Sequence, residues 1–183
     1  MGGESEAIPL LQSLFRQRRS KTVAARLYAT AVAQARRPAF YTDFAAPDTM
    51  EGRFELYSLH VILLVRRLRD GGPEADETAQ ALVDTFTSGL DHGLREAGVG
   101  DLAVPRRMRK LSAAFLGRAE ALDAALGPSP ETLEPLLGRT VFDGGQGRAP
   151  ELAGYVRDCA AALAAQPLAA LLDGDAAWPD STP

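Results

Sequence analysis

An all-α fold is what this sequence predicts: a single compact multi-helix domain of about six to eight helices around one buried central helix. Three observations carry the prediction. Leu and Ala dominate the 183 residues while aromatics reach only 7%, and Val and Ile are sparse, a composition that favours helix over strand. No strand-like run above about four residues interrupts the helical periodicity. The stretch Leu56 to Val65 is apolar at nearly every position, broken only by Ser58 and His60. It is too short to span a bilayer, which takes ~20 apolar residues, and too apolar all round for a surface helix, which shows one stripe.

The elements follow in order. Residues 1–7 are small and polar. Pro9 suits the first turn of a helix running to about Arg19, with Leu10, Leu11, Leu14 and Phe15 as its apolar stripe and Arg16, Arg18, Arg19 and Lys21 after it. This basic amphipathic segment, residues 1–20, reads as a docking helix or as a surface for anionic lipid or RNA. A second helix, about Thr22–Arg36, carries Val23, Leu27, Ala31 and Ala35 at helical spacing and stops before Pro38. Phe40, Tyr41 and Phe44 cluster in a short irregular segment and read as a plug over the core. The central helix opens with Asp48 as N-cap and Glu51 completing a capping box; Arg66, Arg67 and Arg69 crowd its last turns, where the macrodipole favours cations.

Past Asp70-Gly71-Gly72, Pro73 with Glu74, Asp76 and Glu77 opens an acidic helix whose core face is Ala79, Leu82, Val83, Phe86 and Leu90. Gly98 and Gly100 mark its end as positions for positive φ. A long helix from about Val104 to Leu126 carries Met108, Leu111, Phe115, Ala119, Leu122 and Leu126. Ser129-Pro130-Glu131 starts the next, ending near Phe142, and a Gly-rich loop leads to an Ala-rich helix over Glu151–Gln166. Pro167 interrupts it before a short LAALL segment. The main helical domain therefore runs over 21–172, with 173–183 as a flexible tail.

The net charge of −4 gives no global pull toward nucleic acid, so DNA binding is not expected. The single Cys159 excludes an internal disulfide and reads as packing. The N-terminal stretch lacks a secretory apolar core and has acids before its bases, which fits neither signal nor transit peptide and points to a cytoplasmic chain, with peripheral contact on the inner face of the membrane as a further expectation. Charge alternates along the sequence. Residues 71–102 hold one base against seven acids, whereas 103–127 hold five against two.

No catalytic signature, metal-ligand set or phosphate loop emerges, so neither enzyme activity nor a cofactor is expected. His60 has no nucleophile beside it and reads as a satisfied buried group, with partner binding as the sharper reading. Glu55 and His60 are five apart, which fails the Glu-x-x-His spacing of a di-iron bundle. The Gly144-Gly145-Gln146-Gly147 loop has no Gly-Lys-Ser/Thr after it. Arg106, Arg107, Arg109 and Lys110 are different. They stand in the first turns of a helix, where the dipole disfavours exposed cations by ~0.3–1 kcal/mol each. They call for an acidic partner, with pairing to the acidic 71–102 helix and docking outside the fold as equal readings.

Two blocks of sequence carry a resemblance. The first is Gln34-Ala35-Arg36, Phe40-Tyr41, Pro47-Asp48-Thr49, Gly52-Arg53-Phe54-Glu55 and Leu59-His60. The second is Asp91, Leu94-Arg95-Glu96, Gly98-Val99-Gly100-Asp101-Leu102, Met108 and Gly117-Arg118. In this order and spacing, over roughly Leu27 to Leu126, they resemble the ubiquinol–cytochrome c chaperone family. The resemblance implies a non-enzymatic assembly role in biogenesis of the cytochrome bc complex (respiratory complex III): binding newly made cytochrome b and protecting it until haem and partner subunits are in place. Its mitochondrial relatives associate with ribosomes and the inner membrane, and this chain looks bacterial. The aromatic that follows Gly-Arg in the family is absent after Gly117-Arg118. Candidate partner-binding residues are Arg53, His60, Arg95, Glu96, Asp101, Arg106, Arg107, Arg109, Lys110 and Arg118. Of these, Arg53, Arg95 and Arg118 are equally readable as structural ion pairs. The alternative function is a helical carrier or enzyme for a lipid such as a quinone or prenyl chain, which requires a deep apolar pocket beside His60 and Arg53. A third reading is a membrane or ribosome adaptor acting through the first helix.

Overall fold

The computed structural model describes residues 7–127, 132–145 and 147–180, with side chains from Arg16 onward. Among the described residues every regular element is a helix: α1 (Ala7–Ala35), α2 (Ala39–Thr42), α3 (Met50–Leu68), α4 (Pro73–Glu96), α5 (Val104–Ala125), α6 (Leu133–Thr140), α7 (Ala149–Ala165) and α8 (Leu168–Leu172). The apolar stripe expected at Leu10–Phe15 and the start signal at Ser129-Pro130-Glu131 lie outside the described side chains and residues.

α1 corrects the expectation of two helices. It runs unbroken through Lys21-Thr22, because no Gly or Pro stands between Pro9 and Pro38. The Thr22 hydroxyl, at the expected start of the second helix, donates back to the Arg18 carbonyl at 3.1 Å inside the helix. After Pro38, α2 is a single turn rather than an irregular segment. Phe40 and Phe44 are fully buried and stack at 5.5 Å, as a plug over the core should.

α3 is the buried centre, packed against α1, α4, α5 and α7, and its residues from Leu56 to Leu64 are buried apart from Tyr57. Its cap lies one residue later than the sequence suggests. Thr49, not Asp48, is the N-cap, and its side chain accepts from the Gly52 N–H at 3.1 Å. Asp48 is left free to accept from Arg53 Nε at 2.6 Å. Gly52 is required there, since a Cβ would come within 2.1 Å of the Pro47 carbonyl oxygen. At the other end the arginines reach beyond their own helix. Arg66 and Arg69 pair with Asp123 of α5, and Arg67 donates to the Leu163 and Gln166 carbonyls at 2.7 and 2.9 Å, capping α7.

Two aromatic clusters lie on different faces of α3. On one, Phe86 of α4 meets Phe115 at 4.9 Å, Phe54 at 6.3 Å and Tyr28 at 6.4 Å, which joins α1, α3, α4 and α5. The other holds Phe40, Phe44, His60, Tyr155 and Trp178. The acids of α4 pair with α1: Glu74 with Arg19 and Glu77 with Arg16, both at 2.9 Å. Gly98 has φ +78° and closes α4 as expected, but Gly100 does not adopt a positive φ.

The segment expected to be a flexible tail is laid against the fold over residues 173–180. The Gln166 side chain clamps it at two points, donating to the Asp175 carbonyl and accepting from the Ala177 N–H, each at 2.9 Å. Asp175 pairs with Arg26 and Asp180 with Arg37. Trp178 sets its ring against His60. The partners are tertiary, from α1, α3 and the end of α7, which local composition does not reveal.

Candidate functional site

His60 belongs to the interior, which corrects its place among candidate partner-binding residues. Its ring is fully buried. Nδ1 lies 2.8 Å from the Leu56 carbonyl, which can only accept, so Nδ1 carries the proton and donates. Nε2, 2.8 Å from the Tyr155 hydroxyl, therefore accepts from it. Gln34 Nε2 donates to the same hydroxyl at 2.9 Å and to the Pro179 carbonyl at 3.1 Å. Burial lowers the His60 pKa to about 4, against the opposing pull of the Leu56 carbonyl, so the imidazole is neutral near pH 7. Burial also raises the Tyr155 phenol far above its ordinary value and pushes the Cys159 thiol up to about 12. These groups hold protons in place and are poorly suited to moving them. Phe40, Tyr155 and Trp178 enclose the imidazole, filling the space where a lipid or quinone pocket beside His60 would have to open.

The other candidates divide by whether they already have a partner. Arg53 is bound to Asp48 and lies 6.0 Å from the centroid of the Tyr41 ring. Its hydrogen bond holds the Asp48 carboxyl below the usual range. Arg95 bridges Asp91 at 2.7 Å and Asp101. Glu96 pairs with His92 at 3.1 Å. Arg118 grips Glu55 with two parallel hydrogen bonds of 3.0 Å across the α3–α5 interface, a fork geometry that fixes register as well as charge. Beneath that pair, a cavity of about 20 Å³ between α3, α5 and α6 is lined by Ser58, Leu59, Ile62 and Leu136 among others. It has room for about one water and none for a lipid chain, whose pockets run to hundreds of Å³. A surface groove of about 300 Å³, with Gln17, Ser20, Lys21, Glu77, Ala81 and Asp84 on its walls, lies between α1 and α4. Among the described residues no cluster could hold a metal.

Arg106, Arg107, Arg109 and Lys110 remain. All four are exposed, and none has an ion pair among the described residues. Pairing with the acidic helix, one of the two readings open from sequence, is not what the fold does. The α4 acids Glu74 and Glu77 are taken by α1, and the two acids nearest α5 in sequence, Glu96 and Asp101, by His92 and Arg95. The exposed stripe of α5 continues from Arg106, Arg109 and Lys110 through Ala113, Leu116 and Gly117 to Glu120. Leu116 is 60% exposed, and Leu102, just ahead of the helix, 100%. Sequence reasoning singled out the cations but not the bare leucine; its only signal was a Leu in a Gly-Asp-Leu-Ala turn before Pro105. It also missed Tyr155 and Trp178 as partners of His60, since neither lies near it in sequence.

The comparisons with known proteins bear on the whole of this architecture. The chain matches the sequence profile described as ubiquinol-cytochrome C chaperone over residues 42–178, a span that ends on Trp178. Among solved structures it is similar to that titled "Crystal structure of the Cbp3 homolog from Brucella abortus", at 36% identity and a TM-score of 0.82, with 93% of this chain and 97% of that one covered. No curated protein matches the sequence. The profile covers well over half of the chain, and the solved relative shares the fold over most of it. The chain belongs to the ubiquinol–cytochrome c chaperone family.

Proposed function

We propose that this chain is a non-enzymatic assembly chaperone that binds newly made cytochrome b during biogenesis of the ubiquinol–cytochrome c reductase. Family membership supports the assembly role. The observation that carries the binding reading is the exposed outward stripe of α5 from Arg106 to Gly117, whose four cations have no ion pair among the described residues. Four uncommitted cations at one end and a low apolar strip of Ala113, Leu116 and Gly117 further along suit a client that offers acidic loops beside apolar helices. Small residues at i and i+4 let a client helix approach closely. Arg118, bound to Glu55, positions the stripe and does not itself reach for the client. No described helix is long and apolar enough to cross a membrane, and contact with the client's bilayer is taken as peripheral in this proposal. Ribosome contact belongs to the same proposal, at the stage when the client emerges.

The test is a pull-down of tagged protein from detergent-solubilised source cells, read by mass spectrometry with and without crosslinking. Enrichment of cytochrome b over other membrane proteins, lost on Leu116→Asp, is the expected result. Equal recovery of unrelated membrane proteins would defeat the reading.

A further inference from the structure

We infer that the N-terminal end of α5 is a docking site for an anionic bilayer surface, with Leu102 as the inserting side chain and Arg106, Arg107, Arg109 and Lys110 as the headgroup contacts. The inference deepens the assembly reading and rests on it for its biological setting; the physical case comes from the patch itself. Leu102 is fully exposed at the head of the helix. It stands within two turns of four cations that no carboxylate of the described residues neutralises. An apolar side chain followed by free cations on the next turns of the helix matches the boundary between acyl chains and charged headgroups. The charge distribution sharpens the match. The whole chain carries −4, so with these four cations set aside the remainder carries −8. A negative bilayer attracts this end and repels the acidic stretches 71–102 and 128–183, which biases the molecule's orientation as well as binding it. RNA fits less well, because the patch has no aromatic on which a base could stack. The cations alone also suit an acidic protein loop; the fully exposed Leu102 just ahead of them is what favours a bilayer.

Flotation of the full chain with phosphatidylcholine vesicles, with and without phosphatidylglycerol, tests this. Binding that needs the anionic lipid, weakens with added salt and falls at least about tenfold in R106E/R107E is expected, with a smaller loss in L102D. Circular dichroism confirms that each variant is folded. Failure to float with anionic vesicles, or flotation unchanged in both variants, overturns the inference. So does capture of single-stranded RNA by these residues without vesicle binding. The detergent pull-down separates this from the client reading. If R106E/R107E still captures cytochrome b but no longer floats, the two surfaces are distinct. If the unaltered protein floats but captures no cytochrome b, the client reading fails and the lipid site stands.

Discussion

The His60 cluster and the outer end of α5 are both polar features of a helical domain, and they are opposites. In the first, an imidazole, a phenol and an amide sit in the core, and their hydrogen bonds offset the cost of removing them from water. In the second, four cations stand in water at the end of a helix where the dipole opposes them, and no carboxylate of the described residues pairs with them. A buried network with every partner present helps to specify one packing of α1, α3, α7 and the C-terminal segment. An exposed cluster with none among the described residues contributes nothing to that packing, which is why the proposed docking surfaces are placed there. On that proposal stability and binding are separated in space, and each side can be broken without the other.

Acid tests the sealed side most severely. The folded His60 pKa is about 4, below the ordinary 6.5. Between those values the unfolded chain binds a proton that the folded chain refuses. The stability from neutral His60 is therefore complete above about pH 6.5 and lost as pH falls toward 4, a change of about 3 kcal/mol. Chemical denaturation across this window should show the loss, and H60Q, which cannot titrate, should lack it. Equal slopes for the two proteins would mean that His60 is solvated in solution.

The C-terminal segment comes next. Trp178 covers His60 and donates from its indole N–H to Thr30 at 3.3 Å. W178A should lower stability by about 2–3 kcal/mol, roughly 5–10 °C in Tm for a domain of this size. Y155F, which strips Nε2 of its donor, should lower it by about 1–3 kcal/mol. A W178A protein that melts like the parent would restore the flexible-tail expectation for this segment.

How far the sequence reveals each side follows from the range of its interactions. Helix positions depend on nearby residues, and Pro38, Pro73 and Gly98 punctuate the chain where the pattern says they should. The errors fall where a local signal has two uses. Thr22 can start a helix or bond back within one, and Asp48 beside Thr49 offers two caps of nearly equal merit. The His60 network is invisible from sequence, because Gln34, Tyr155 and Trp178 reach it from up to 118 residues away. The α5 cations were legible because helix position and charge conflict locally. That they are free became clear only once Glu74, Glu77, Glu96 and Asp101 were seen to be engaged elsewhere.

That conflict supplies the smallest and most pointed test. Arg106 and Arg107 lie in the first turn of α5, where no acidic residue balances the dipole. Reversing both charges removes two unfavourable interactions and adds two favourable ones, each worth ~0.3–1 kcal/mol at most for exposed groups. R106E/R107E should therefore be slightly more stable than the parent, by about 1 kcal/mol or a few degrees in Tm by calorimetry, and the gain should shrink in high salt. The same substitutions are expected to abolish docking to anionic vesicles. A protein that is stabilised as it loses binding locates the function in those side chains, because a residue kept for the fold does not improve the fold by its removal. A fall in stability would instead mean that the arginines have acidic partners within the chain in solution, and the contrast between the sealed and the open side would no longer hold.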